Sequence, residues 1–318
     1  MSQMDPSKSH ALLGPGAIGL YYSALLIRSG VDLHVLARSD LDALTADGIT
    51  LRRMDPKTST VLETSQVRPA SVAARASDLP QPDRIIIAAK ATFNEALLES
   101  LRVLVRPGHT ELLTLQNGMG NAEFFAGHFP ENPILAGLCF VCANRTAPGV
   151  VENYHPGRVE VGALGNQWPD AAAVVVSDFN AAGIKTTFTP ELDAALWRKL
   201  CWNVPFNGLA IAGGGMTTDR ILADPRMTRR ARHLMEEVRT ASERAGFPIS
   251  DAFIQGQFDV TEKMGAYRPS SLIDYQAGRP VEVEAIWGEP LRRGLALGVV
   301  MPELEKVYGE VCSAGENT

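Results

Sequence analysis

Apolar and polar positions follow two rhythms along the first half of the chain. Residues 10–13 (HALL) and 32–37 (DLHVLA) read as short strands. Between them, residues 19–29 carry apolar side chains at helical spacing, stopped by Gly30. Residues 41–46 make a short helix closed by Gly48. Residues 83–89 (DRIIIAA) form a near-continuous apolar run, as expected of a parallel strand covered on both faces. Helical period returns over residues 93–105 before Pro107 and Gly108, and residues 111–115 (ELLTL) give another strand. This alternation predicts an α/β fold with a doubly wound, Rossmann-type parallel sheet.

Further on the pattern changes. Residues 148–189 break into shorter strand-like pieces such as 158–162 and 185–188, and after Pro190 nearly everything is helical in period. Residues 192–209 carry an apolar stripe, and residues 228–245 are amphipathic and closed by Gly246. The chain therefore divides into an N-terminal Rossmann-type domain, residues 1–189, and a second, all-helical domain, residues 190–318. Residues 1–9 read as a polar tail with little order.

Composition narrows the function classes. With 45% hydrophobic and 21% charged residues in 318, the chain has ample material for a packed core. Its net charge of −6 argues against a nucleic-acid or anionic-membrane partner, although a locally basic pocket can still hold an anion. Residues 11–27 resemble a leader core, yet Gly14, Pro15, Gly16 and Gly19 interrupt them, and a membrane span needs about 20 apolar residues. A cytoplasmic protein is expected. Four cysteines are too few for a disulfide framework. Cys139 and Cys142 form a C-x-x-C, but no second pair or histidine cluster accompanies them. They read as buried core thiols, and no metal site is expected.

Gly14-Pro15-Gly16-Ala17-Ile18-Gly19 sets a G-x-G-x-x-G directly after the first strand and at the opening of a helix. Gly14 permits a tight turn, Gly16 lets backbone approach a pyrophosphate, and Gly19 lets the helix pack close to the sheet. The helix N-terminus adds unpaired N–H groups and partial positive charge. A dinucleotide site is favoured over a merely structural turn. An NAD site would place an acid roughly 20 residues on, for the ribose 2′-hydroxyl. The second strand ends instead at Arg38, whose guanidinium suits a 2′-phosphate. NADP is the preferred cofactor, the alternative being that Arg38 is a solvated surface charge. Asp40 reads as the start of the next helix. Lys90 ends the apolar strand at the sheet's carboxyl edge, as a second cation near the ligand or as a solvated strand end.

In the second domain Lys199, Asn203 and Asn207 recur at i, i+4 and i+8, sharing one face of an apolar helix. Unpaired buried polar groups cost roughly 1–3 kcal/mol each, so these side chains need partners. A bound carboxylate and carbonyl would supply them, as would hydrogen bonds to another helix.

These features taken in order resemble the ketopantoate reductase family over nearly the whole chain. The motifs are GPGAIG at 14–19, Arg38, Ala89-Lys90-Ala91, LQNGMG at 115–120, Trp197-Arg198-Lys199-Leu200 with Asn203 and Asn207, Arg268-Pro269-Ser270, and GRPVE at 278–282. The resemblance implies NADPH-dependent reduction of 2-dehydropantoate, a small 2-oxo acid, to pantoate in pantothenate biosynthesis. It implies that Lys199 protonates the substrate oxygen and that Glu282 orients Lys199. Asn117 would lie beside nicotinamide and substrate, and Asn203, Asn207 and Ser270 would hold the substrate's carboxylate and hydroxyl. Gly14, Gly16, Gly19, Arg38 and Lys90 match the cofactor side, with Pro15, Ala17 and Ile18 completing the turn. The chemistry is coherent: hydride arriving at a ketone carbon leaves negative charge on oxygen, which an ammonium stabilises and protonates. An ordinary lysine is protonated at neutral pH. A homodimer is compatible with this reading.

Three positions depart from the family pattern, and Pro15 within the glycine-rich turn is one of them. Ile273 stands where glutamine is frequent, and Trp287 replaces an asparagine, giving Ile286-Trp287-Gly288. Both bear on which branched 2-oxo acid is used. Other dehydrogenases with a helical second domain, acting on β-hydroxyacids or forming opines, also use lysine and asparagine on a helix. A non-catalytic NADP sensor would keep the glycine turn and lose the acid, whereas here Lys199 and Glu282 are both present.

Overall fold

A computed structural model describes residues 8–316 of the chain. The first unit runs β1 (Ser9–Leu13), α1 (Ala17–Arg28), β2 (Asp32–Leu36), α2 (Leu41–Ala46), β3 (Ile49–Met54), β4 (Val61–Val67), β5 (Ser71–Ala73) and β6 (Arg84–Ile87). It continues with α3 (Asn94–Leu104), β7 (Glu111–Thr114), α4 (Asn121–His128), β8 (Ile134–Ala147), β9 (Val150–Ala163), α5 (Pro169–Ala181) and β10 (Thr186–Phe188). The strands form one sheet in the order β4-β3-β9-β8-β7-β6-β1-β2-β5, with β10 beside β9. Neighbours from β5 to β8 are parallel, and the order reverses at β1, which pairs with β2 on one side and β6 on the other. That reversal puts the loops after β1, β2, β6 and β7 on one edge, where doubly wound sheets bind their ligands. Leu12, Leu13, Ile85, Ile86, Ile87 and Leu113 are fully buried, which explains why these strands read as unbroken apolar runs.

The sheet is larger than the alternation alone foretells. Antiparallel pairs β3–β4 and β8–β9 extend the doubly wound part. Residues 150–163 form one 14-residue strand, not separate pieces. Pro156-Gly157 sits inside β9, with Gly157 at φ 62 and so close to β8 that an added Cβ would meet Phe140 O at 1.6 Å. The expected loose tail ends earlier than residue 9: Ser9 begins β1, Lys8 pairs with Glu111 at 3.1 Å, and residues 1–7 lie outside the described residues. Cys139 is buried as expected, while Cys142 is partly exposed.

Arg84 is the one cation in the apolar run of β6 and is completely buried. Its Nε donates to Glu111 at 2.7 Å and its Nη1 to Asp178 of α5 at 2.8 Å, so burial is matched by two carboxylates. Burial first, then the nearby Arg84 and Lys8, pushes the His10 imidazole down to about 3, and it stays neutral.

The second unit comprises α6 (Leu192–Ala212), α7 (Thr218–Ala223), α8 (Pro225–Arg244), α9 (Asp251–Met264), α10 (Ser270–Gln276), α11 (Glu289–Ala296) and α12 (Pro302–Glu316). Among its described residues there is no strand. α8 starts three residues before the amphipathic stretch at 228, because Asp224 caps it through the N–H groups of Arg226 and Met227, with Pro225 at the first helical position. By contact the chain separates into two compact units. One holds the described residues through Gln116 together with Asn121–Leu192, and the other holds Asn117–Gly120 with Asp193 onward. Among the described residues no helix is long and apolar enough to cross a membrane, and no group of three or more histidine, cysteine or acidic side chains is placed to hold a metal ion.

Candidate active site

Within the first unit, the turn from β1 to α1 is built by its glycines. Gly14 has φ 92, and a Cβ there would fall 2.1 Å from the Ala89 backbone nitrogen. A Cβ on Gly19 would fall 2.5 Å from Gly14 O, so the helix start packs directly on the turn. Gly16 differs: nothing lies within 4 Å of where its Cβ would be. Its N–H donates to Gly14 O at 2.8 Å, and no side chain caps α1. The first N–H groups of a helix have no partner within it. An open backbone surface and an uncapped helix start together fit a dinucleotide pyrophosphate. Pro15, Ala17 and Ile18 complete this turn.

Arg38 follows β2 and is exposed. Lys90 does not end a strand. β6 stops at Ile87, and half-buried Lys90 precedes a single 3₁₀ turn, Ala91–Phe93. The Gln116 side chain fastens this loop, donating through Nε2 to Ala89 O and to Asn94 Oδ1, both at 2.8 Å. Asp40 precedes α2 as expected but makes no capping bond. Its carboxylate accepts instead from Arg145 Nε at 2.9 Å, from a second Arg145 nitrogen, and from Gly149 N at 3.0 Å.

The second unit gathers Lys199, Asn117, Asn203, Asn207, Ser270 and Glu282. Lys199 is half-buried on α6, and its Nζ donates to Asn117 Oδ1 at 3.0 Å. Asn117 is held there by its own loop. Met119 N donates to Ala285 O at 2.8 Å, and Gly118, at φ 86, lies so close that a Cβ would be 2.2 Å from the same oxygen. Ala285 O can accept for a reason written in the sequence. Residues 284–288 form a π-turn, and Glu289 N bonds back to Glu284 O. In that register the partner of Ala285 O would be residue 290, a proline without an N–H. Glu282, 8% exposed, lies two residues before this turn. Pro290 lies outside every motif read from the sequence, and Gly118 lies inside the 115–120 motif without a role assigned to it there; both shape this contact, and the Glu-Pro pair at 289–290 was the available signal.

Asn207 is 2% exposed and committed on both sides: Nδ2 donates to Asn203 O at 3.1 Å, and Oδ1 accepts from Ser271 N at 3.1 Å. The second bond anchors the start of α10, whose first residue, Ser270, is exposed. Trp287 is fully buried, with its indole N–H on Val204 O at 2.9 Å. A Cβ on Gly208 would sit 2.8 Å from that indole nitrogen, so the bulk of Trp287 is accommodated against α6 by a glycine. Ile273 is half-buried on α10.

Comparison with known proteins agrees with a Rossmann-like first unit and a helical second one. Residues 10–166 match the family described as Ketopantoate reductase PanE/ApbA, and residues 191–313 match its C-terminal counterpart. A 2-dehydropantoate 2-reductase of Nostoc sp. is 34% identical over 309 residues, covering 96% of this chain and 94% of that protein. The crystal structure of a 2-dehydropantoate 2-reductase from Geobacter metallireducens superposes with a TM-score of 0.88 at 33% identity, covering 96% and 99% of the two chains. D-mandelate dehydrogenase, solved with NADH and anilino(oxo)acetate, shares the fold alone, with a TM-score of 0.86 at 21% identity and coverage of 97% and 99%. The chain belongs to the ketopantoate reductase family. It is an oxidoreductase.

Proposed function

We propose that this enzyme reduces 2-dehydropantoate to pantoate with NADPH, the step that serves pantothenate synthesis. The observation that carries the reading is the Lys199–Asn117 pair, an amine held at 3.0 Å by a side chain whose loop is locked onto Ala285. Bound NADPH supplies the hydride. The Gly14–Gly19 turn takes the pyrophosphate on the open backbone of Gly16, and Arg38 takes the 2′-phosphate, with Lys90 as a second cation. Lys199 gives its proton to the substrate oxygen as negative charge develops there, which stabilises the transition state more than the ground state. Glu282 orients Lys199. Asn117 keeps Lys199 aligned, and Asn203 and Ser270 bind the substrate's carboxylate and hydroxyl. Asn207 supports both by holding the Asn203 carbonyl and the start of α10.

Steady-state oxidation of NADPH and NADH with a panel of 2-oxo acids tests this. The panel contains 2-dehydropantoate, unbranched 2-oxo acids and phenylglyoxylate. The expected result is the highest kcat/KM for 2-dehydropantoate with NADPH. A clear preference for an aromatic 2-oxo acid, or for NADH, would overturn the assignment.

A further inference from the structure

Asp40 and Arg145 have no part in the chemistry above, yet their pairing bears on the choice of nucleotide. In NAD sites an acid near the end of the second strand accepts from the ribose 2′-hydroxyl, and an ionised carboxylate there repels a 2′-phosphate. This chain carries such an acid two residues past Arg38. It is 1% exposed, while Arg38 and Ser39 beside it are exposed. Arg145 reaches it from β8 as a fork, Nε at 2.9 Å and a second nitrogen to the other oxygen. Gly149 N at the β8–β9 turn donates at 3.0 Å and Ser39 Oγ at 2.9 Å. Burial raises the Asp40 carboxyl, but these hydrogen bonds outweigh it and hold the group below the ordinary carboxylate range, as an anion. On its other side Arg38 follows Ala37, which is fully buried and donates to Ala73 O at 2.9 Å. The backbone is thus fixed on both sides of Arg38.

We propose, on the NADPH reading of Arg38, that Arg145 determines nucleotide selectivity by sequestering Asp40, leaving Arg38 alone to meet the 2′-position. Without Arg145, a buried carboxylate loses its charged partner, which is strongly unfavourable, and it turns outward to where Arg38 and Ser39 already lie. There it pairs with Arg38, repels a 2′-phosphate and offers an acceptor to a 2′-hydroxyl. The absence of an acid directly at the strand end and the burial of the one that follows are then two halves of one device.

Calorimetric titration of the unmodified protein, Arg145→Ala and Asp40→Asn/Arg145→Ala with NADPH and NADH separates the outcomes. Arg145→Ala should weaken NADPH by about tenfold or more, the loss of one charge-assisted contact, while NADH binds as before or more tightly. The double variant should regain the preference for NADPH, because no carboxylate remains to be released. A merely structural role would weaken both nucleotides alike, and that result, or a double variant no better than the single, would overturn the proposal. If circular dichroism shows Arg145→Ala unfolded, Arg145→Lys keeps the charge and loses the fork. It should shift the ratio in the same direction by less, and an unchanged ratio there overturns the proposal. Equal affinities in the unmodified protein would instead sink the NADPH reading itself, and this inference with it.

Discussion

Asn207 shows how one buried side chain can tie two helices of a unit together. Its amide spans the Asn203 carbonyl and the Ser271 N–H, so it fixes one helix start against another helix. Removing it strands a buried donor and shortens the support of α10, at a cost of about 1–3 kcal/mol. Ser270, exposed on the first turn of α10, carries no such duty. Asn207→Ala is therefore expected to lower Tm and raise KM for the oxo acid together. Ser270→Ala should raise KM with Tm unchanged. Thermal unfolding beside steady-state kinetics reads both, and a Ser270→Ala variant as destabilised as Asn207→Ala would contradict this division. Residue types and spacing brought Lys199, Asn203 and Asn207 to one face of a helix. Spacing alone did not say which partner each would take, because Ser271 and Asn117 arrive from distant segments.

At the scale of elements, the segment from Asn117 to Gly120 brings Asn117 to Lys199. It leaves β7 but packs with the helical unit, through Met119 N on Ala285 O and the close approach of Gly118. Gly118→Ala meets two obstacles: a left-handed backbone costs a side chain roughly 1–2 kcal/mol, and the new Cβ collides with a carbonyl. The loop must detach, and Asn117 leaves Lys199. Turnover should fall on the order of 10²-fold through lost positioning, with NADPH affinity nearly intact. Measured kcat beside a cofactor titration checks this, and normal turnover would show that the loop does not align Lys199. The β-α alternation, the glycine turn and the helical second half were legible because their apolar periods are local. The antiparallel strands were legible only in part, as the piece at 158–162 within β9. β4 is mostly exposed and β9 is interrupted by Pro156-Gly157, so neither shows the apolar run of a buried strand. The π-turn was hidden for a different reason, since its consequence depends on Pro290 lying five residues from the carbonyl it frees.

For the whole molecule, the residues proposed for cofactor and for chemistry fall in different units. The glycine-rich turn and Arg38 belong to the first, and Lys199, Asn117 and Glu282 to the second. Gln116 and Asn117 are neighbours in sequence yet divide between the two, so one short loop serves both: Gln116 secures the segment after β6, and Asn117 holds the lysine. This division makes binding and chemistry separable by experiment. The most direct test of Lys199 as proton donor is single-turnover reduction of 2-dehydropantoate by the NADPH-loaded Lys199→Ala variant, with NADPH affinity measured in parallel. The expected result is a rate lowered about 10²–10⁴-fold, the usual contribution of a general acid, with cofactor affinity close to that of the unmodified enzyme. A near-normal rate, or a loss of NADPH affinity large enough to account for the loss of rate, would contradict it.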